Sequence, residues 1–163
     1  MKKQGLYDPG YEHDACGVGF VVEISGKASH QTVVDGITIL KNLEHRGAVG
    51  SDVNSGDGAG ILVQIPHEFF VKELEFELPS SGSYGVGMFF LPIDEDKRNS
   101  VITIITDVVG SEGSAIVGTR DVPFVSDSLG PKALSSMPFI YQTFITSNDL
   151  SGDDLERKLY IIR

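Results

Sequence analysis

A chain of 163 residues, 40% hydrophobic and 22% charged, has the make-up of one globular domain or part of one. Its net charge of −10, from 23 acidic and 13 basic residues with no Lys/Arg cluster, excludes the basic footprint of a nucleic-acid binder. The single cysteine excludes an internal disulfide and a cysteine-rich metal site, no apolar run approaches a membrane span, and together these predict a cytoplasmic protein.

The first fifteen residues contain Lys2 and Lys3 but no apolar stretch of the signal-peptide kind. Residues 16–24, CGVGFVVEI, predict a strand that opens on glycines, and Ser25-Gly26-Lys27 predicts a turn. From Thr32 to His45 the apolar residues Val33, Ile37, Leu40 and Leu43 fall on one helical face. Residues 46–60 are rich in glycine and include Asp52 and Asp57, which predicts a long loop that wraps a ligand or turns tightly. Ile61 to Ile65 predicts a short strand stopped by Pro66, and His67 to Leu74 a short helix with Phe70 and Leu74 four apart. Tyr84 to Leu91 predicts a strand ended by Pro92. Asp94 to Val109 predicts a helix on Val101, Ile105 and Val108, against the strand preference of its β-branched residues. Ser114 to Val125 and Phe139 to Thr146 predict strands, and Asp153 to Ile162 a helix or a strand. This mixed order suits a layered α/β or α+β domain. The apolar ending Leu159-Tyr160-Ile161-Ile162-Arg163 predicts that the chain stops inside a domain.

Three segments carry chemistry-bearing residues. Cys16 follows Ala15 and precedes Gly17-Val18-Gly19. A free cysteine is commonly a small buried hydrophobe. Cleavage of the Ala15–Cys16 bond would instead place a thiol and an α-amine on one residue. Their ordinary pKa values, about 8.5 and about 7.7–8.0, are close enough for the amine to relay the thiol's proton. Before cleavage that nitrogen is an amide and cannot act as a base. The second segment is Leu43-Glu44-His45-Arg46-Gly47-Ala48. Arg46 can pair bidentately with a carboxylate, or serve as a cation at a helix C-terminus capped by Gly47. His45 has no ligand-spaced partner. The third segment, Ser51 to Gly60, lacks the glycine and glutamate positions of an EF-hand, and follows a helix where a dinucleotide fingerprint follows a strand. It offers backbone that can approach a small polar substrate, with Asp57 able to pair with an ammonium group. A plain turn region is the competing reading. His13, His30 and His67 are isolated.

The ordered motifs Glu12-His13-Asp14-Ala15-Cys16-Gly17-Val18-Gly19-Phe20, Leu40-Lys41-Asn42-Leu43-Glu44-His45-Arg46-Gly47-Ala48 and Gly56-Asp57-Gly58-Ala59-Gly60-Ile61-Leu62 resemble the start of the large subunit in the glutamate synthase family. Gln64-Ile65-Pro66-His67 continues the likeness, which loosens beyond residue 70. The resemblance implies an α+β fold, the αββα four-layer sandwich of N-terminal-nucleophile hydrolases, incomplete in this chain. It implies a leader over residues 1–15 and the N-terminal portion of a class II glutamine amidotransferase domain over 16–163. It further implies Cys16 as the nucleophile that hydrolyses L-glutamine to glutamate and ammonia, with Arg46, Asp57 and Gly58 binding substrate. In the full-length enzyme it implies that the ammonia aminates 2-oxoglutarate with FMN and an iron–sulfur cluster. The partners implied are the remainder of the chain, with a small subunit or ferredoxin as electron donor, and neither nucleic acid nor membrane. No cofactor is expected on these 163 residues themselves.

The family's oxyanion hole uses an Asn-Gly pair, and none occurs in this sequence. Losing one oxyanion donor costs about 10²–10³ in rate. Weak or no glutaminase activity is therefore expected of these residues alone, and a non-catalytic fragment or stand-alone binding module of the same fold is the alternative.

Overall fold

The computed structural model describes residues 5, 17–44, 52, 54–56, 58–148 and 150–163. They divide into two compact units, one spanning Met1–Val63 and Asp127–Ser135, the other Gln64–Ser126 and Ser136–Arg163.

In the first unit, helix α1 runs His30–Asn42. Ser29 begins it because its hydroxyl accepts from the Gln31 N–H at 3.1 Å, satisfying a donor that the first turn leaves open. Of the predicted apolar face, Val33, Leu40 and Leu43 are partly covered, whereas Ile37 is exposed. Leu43 is the C-cap, so α1 ends before the predicted His45; Gly47 lies outside the described residues. The turn before α1 is also as predicted. Gly26 takes φ 69°, which glycine adopts without strain, and its N–H donates to the Glu23 carbonyl at 3.0 Å.

Two predicted strands are not observed among the described residues. Residues 17–23 and 61–65 carry no ladder. Their pattern suits a pleat, but a strand exists only by pairing, and neither segment has a ladder partner among the described residues. Val18, Phe20, Val22, Ile24 and Leu62 are consequently exposed. A short helix that periodicity did not suggest, α4, spans Pro131–Ser136. Six residues are too few to show a helical period, although Gly130-Pro131 is a helix-start signal, proline suiting the first helical position.

In the second unit, helix α2 (His67–Glu73), strand β1 (Gly85–Leu91), helix α3 (Glu95–Ser111), strand β2 (Ser114–Asp121), strand β3 (Phe139–Ser147) and helix α5 (Gly152–Ile162) follow in chain order. The sheet order is β1-β3-β2 and both pairings are antiparallel. Strands β1 and β2 therefore run parallel, joined through α3, and β3 fills the gap between them. Helix α3 overcomes its β-branched content at its ends and in its packing. The Asp94 carboxylate accepts from the Lys97 N–H at 3.0 Å, Glu95 and Asp96 follow in the first turn, and Val109 is fully buried. The last segment resolves to a helix, with Asp153 and Asp154 in its first turn and Leu155 buried.

Each sheet face has its own core. On one, Phe144 of β3 is fully buried among Phe70, Tyr84, Leu74, Phe76, Leu78, Val86 and Val117. A bulge between Ile116 and Gly118 shifts the β2 register. Gly118 pairs with Phe144, and a Cβ there would collide with the Phe76 ring. On the opposite face, Leu159 of α5 lies over Gly85 in the same way. Lys158 Nζ meets Glu112 Oε2 at 3.2 Å, tying α5 to the C-cap of α3.

Tyr84 gives this unit a pH signature. Its hydroxyl lies 3.1 Å from His67 Nδ1, and burial raises its pKa above the ordinary tyrosine value. The folded state then keeps the phenolic proton to higher pH than the unfolded chain does. The associated stability is present below about pH 10 and is lost as pH rises through the folded pKa. Tyr84→Phe is expected to flatten the alkaline limb of a stability–pH profile measured by denaturant unfolding. An equally steep limb in the variant would rule the account out.

Candidate glutamine amidotransferase site

The predicted site residues Cys16, Arg46 and Asp57 lie outside the described residues. The segments that carry them are partly described, and all of those parts belong to the first unit.

Gly17, the residue after Cys16, runs against the end of α1. A Cβ on Gly17 would sit 3.1 Å from Leu43 Cδ2, and one on Gly19 would collide with Ile39 Cγ2. The Gly-Val-Gly spacing thus has a local reason: on its α1 side the backbone has no room for side chains. Val18 and Phe20 point the other way, and Phe20 is 88% exposed. This brings the chain next to Cys16 alongside Leu43, three residues before Arg46. At the far end of the segment, the Ser25 hydroxyl and N–H donate to Glu23 Oε1 at 2.7 and 3.0 Å. The hydroxyl first and then the amide hold the exposed Glu23 carboxyl below the usual carboxylate range.

Gly58 is exposed, and nothing lies within 4 Å of where a Cβ would be. Gly60 is equally open. The start of the loop is held differently. Ser55 is buried, and its Oγ accepts from the Ala133 N–H at 2.9 Å. Asp52 Oδ2 lies 3.4 Å from the Lys132 N–H, and the Gly130 N–H donates to the Asn54 carbonyl at 2.9 Å. The predicted loop is therefore open on its glycine side and fastened on its Asp52–Ser55 side. The contacts of Asp52 and Ser55 with residues 130–133 were not foreseeable from spacing, because the partners lie about eighty positions apart. The Gly130-Pro131 helix start was the one signal pointing to them.

Among the described residues, no group of three or more His, Cys, Asp or Glu side chains is placed to hold a metal ion, and no helix is long and apolar enough to cross a membrane.

The close approach at Gly17, the end of α1 and the open glycine side of the loop all fall within the first unit. The family of class-II glutamine amidotransferases matches residues 16–163, and the chain belongs to it. It is α+β, as the N-terminal-nucleophile hydrolase fold of that enzyme family requires, and its three-stranded sheet with flanking helices is consistent with an incomplete sandwich.

Its relatives are glutamate synthases. The chain is 46% identical to the glutamate synthase [NADPH] large chain of Bacillus subtilis over 99% of its own length and 11% of the relative's. It is 46% identical to the glutamate synthase [NADH] of Saccharomyces cerevisiae over 99% of the chain and 8% of the relative. It is 41% identical to the ferredoxin-dependent glutamate synthase of Pyropia yezoensis over 93% of the chain and 10% of the relative. The chain thus spans about a tenth of the length of these relatives.

Proposed function

We propose that, within the full-length enzyme, this domain supplies Cys16 as the nucleophile that hydrolyses L-glutamine, while residues 1–163 alone, which hold no Asn-Gly pair, turn over glutamine weakly or not at all. Removal of residues 1–15 frees the Cys16 α-amine, which takes the thiol proton. The sulfur attacks the side-chain amide carbon, the C–N bond breaks, and the nitrogen leaves as ammonia with the relayed proton. Water then cleaves the thioester, releasing glutamate and restoring the thiol. Arg46 pairs with the substrate α-carboxylate and Asp57 with its α-ammonium, while Gly58 lets the backbone come close to the substrate. The observation that supports this reading is the packing of Gly17, the residue after Cys16, on Leu43, three positions before Arg46. The family match over residues 16–163 supports it.

In the full-length enzyme the ammonia aminates 2-oxoglutarate, with FMN and an iron–sulfur cluster supplying electrons. An iron–sulfur cluster takes several cysteine thiolates, whereas this chain has one cysteine. These residues do not fit the cluster, which belongs to the remainder of the protein. Ferredoxin or a small subunit delivers the electrons there. A cytoplasmic setting, where a lone thiol stays reduced, suits the chemistry.

Arg46→Lys tests substrate recognition. A point charge replaces a bidentate fork, so KM for glutamine should rise by about 10- to 100-fold with kcat little changed. Steady-state kinetics on the full-length enzyme would refute the assignment if KM stayed the same.

A further inference from the structure

We propose that Ser55, assisted by Asp52, is a positioning residue for glutamine binding: the two side chains fasten the start of the glycine-aspartate loop to the N-terminus of α4. This rests on the glutamine reading above and adds a residue pair and a helix to it.

Helix α4 cannot cap itself. The Leu134 N–H donates to the Gly130 carbonyl at 3.0 Å, which makes Gly130 the residue before the helix, and glycine has no side chain to accept from the first turn. Pro131 has no N–H to satisfy. The first open donors are therefore the amides of Lys132 and Ala133, and these meet Asp52 Oδ2 at 3.4 Å and Ser55 Oγ at 2.9 Å. The cap comes from residues about eighty positions earlier in the chain.

The site is shaped for this contact. A Cβ on Gly130 would collide with Asp52 Oδ1 and lie 2.5 Å from Ser55 Oγ, so only glycine admits both side chains. The loop backbone joins in: Gly130 N–H donates to the Asn54 carbonyl at 2.9 Å, and Ser55 N–H to the Asp52 carbonyl at 3.2 Å. Asp52 Oδ1 is buried without a donor among the described residues, which makes this a costly cap if its purpose were only to stabilise a six-residue helix.

The consequence falls on the loop. Ser55 stands two residues before Asp57, and beyond it Gly58 and Gly60 are open. A glycine-rich segment loses much backbone freedom when it closes on a ligand. Fixing one end of it beforehand raises the fraction of molecules competent to bind, and releasing that end lowers apparent affinity by the same factor. The effect is on binding, since neither Ser55 nor Asp52 is asked to touch the reacting atoms.

The test uses the full-length enzyme carrying this domain. Ser55→Ala should raise KM for glutamine by about three- to tenfold, the worth of one hydrogen bond, while kcat and ammonia-dependent glutamate formation hold. Gly130→Ala reaches the same contact from the helix side and should give the same split, and Ser55→Thr, which keeps the hydroxyl, should restore KM. Amide exchange across residues 52–60 should quicken in Ser55→Ala. The proposal is overturned if KM is unchanged in both alanine variants, or if glutamine- and ammonia-dependent rates fall together, as a merely structural role would require. Cys16→Ala run alongside separates the two claims. If it abolishes the glutamine-dependent rate while Ser55→Ala leaves KM unchanged, the anchor alone is wrong.

Discussion

Replacing Cys16 with alanine is expected to remove glutamine-dependent ammonia release by about 10³-fold or more, the scale seen when a covalent nucleophile is deleted. No other cysteine exists in the chain to substitute for it. Ammonia-dependent glutamate formation by the full-length enzyme should survive, because added ammonia bypasses the thioester. That asymmetry separates loss of a nucleophile from loss of fold, which would lower both rates. Cys16→Ser is the sharper companion. It keeps size and polarity but raises the pKa of the attacking group far beyond the reach of an α-amine of about 7.7–8.0, so it should be nearly as inactive. Glutamine-dependent turnover in Cys16→Ala comparable with the parent enzyme would sink the thiol mechanism.

Phe144→Ala should cost the domain roughly 3–5 kcal/mol and lower its unfolding midpoint by roughly 6–20 °C. Phe144 is fully buried at the centre of β3, the strand that pairs with both others. Its ring meets Phe70 at 5.0 Å, Phe76 at 5.4 Å and Tyr84 at 6.2 Å between centroids. The first two contacts are edge-on, the favoured geometry for aromatic pairs. Gly118 opposite cannot fill the resulting void, since it has no side chain and Phe76 already occupies the space above it. Thermal or denaturant unfolding checks the value. A loss below about 1 kcal/mol would mean that this cluster does not hold the sheet together.

How far the sequence could be read depended on how local each signal was. Helices α1, α2 and α3 and strands β1, β2 and β3 came through because periodicity and flanking Gly, Pro or Asp act within a few residues. Strand β2 ends at Asp121, short of the expected Val125: the Val122 N–H still donates to the Ile140 carbonyl at 3.0 Å, and Pro123, which has no N–H, cannot continue the ladder. Residues 16–24 and 61–65 misled for the complementary reason. Alternation shows that a segment could pair, not that a partner is at hand. The choice between helix and strand at the end of the chain fell to Leu155 and Leu159, four apart and packed as one helical face needs. At the site, the glycines beside Cys16 were legible as strand punctuation, but their packing against Ile39 and Leu43 was not. The Ser55–Ala133 contact, between residues 78 apart, could not be foreseen from spacing at all.

The central claim is that Cys16 becomes the N-terminal, glutamine-attacking residue. The most direct measurement is peptide mass analysis of the mature enzyme after reaction with an electrophilic glutamine analogue. The account predicts an N-terminal peptide that begins at Cys16 and carries the analogue on its sulfur. A glutamine-hydrolysing enzyme that retains residues 1–15, or that takes the label anywhere but Cys16, would contradict it.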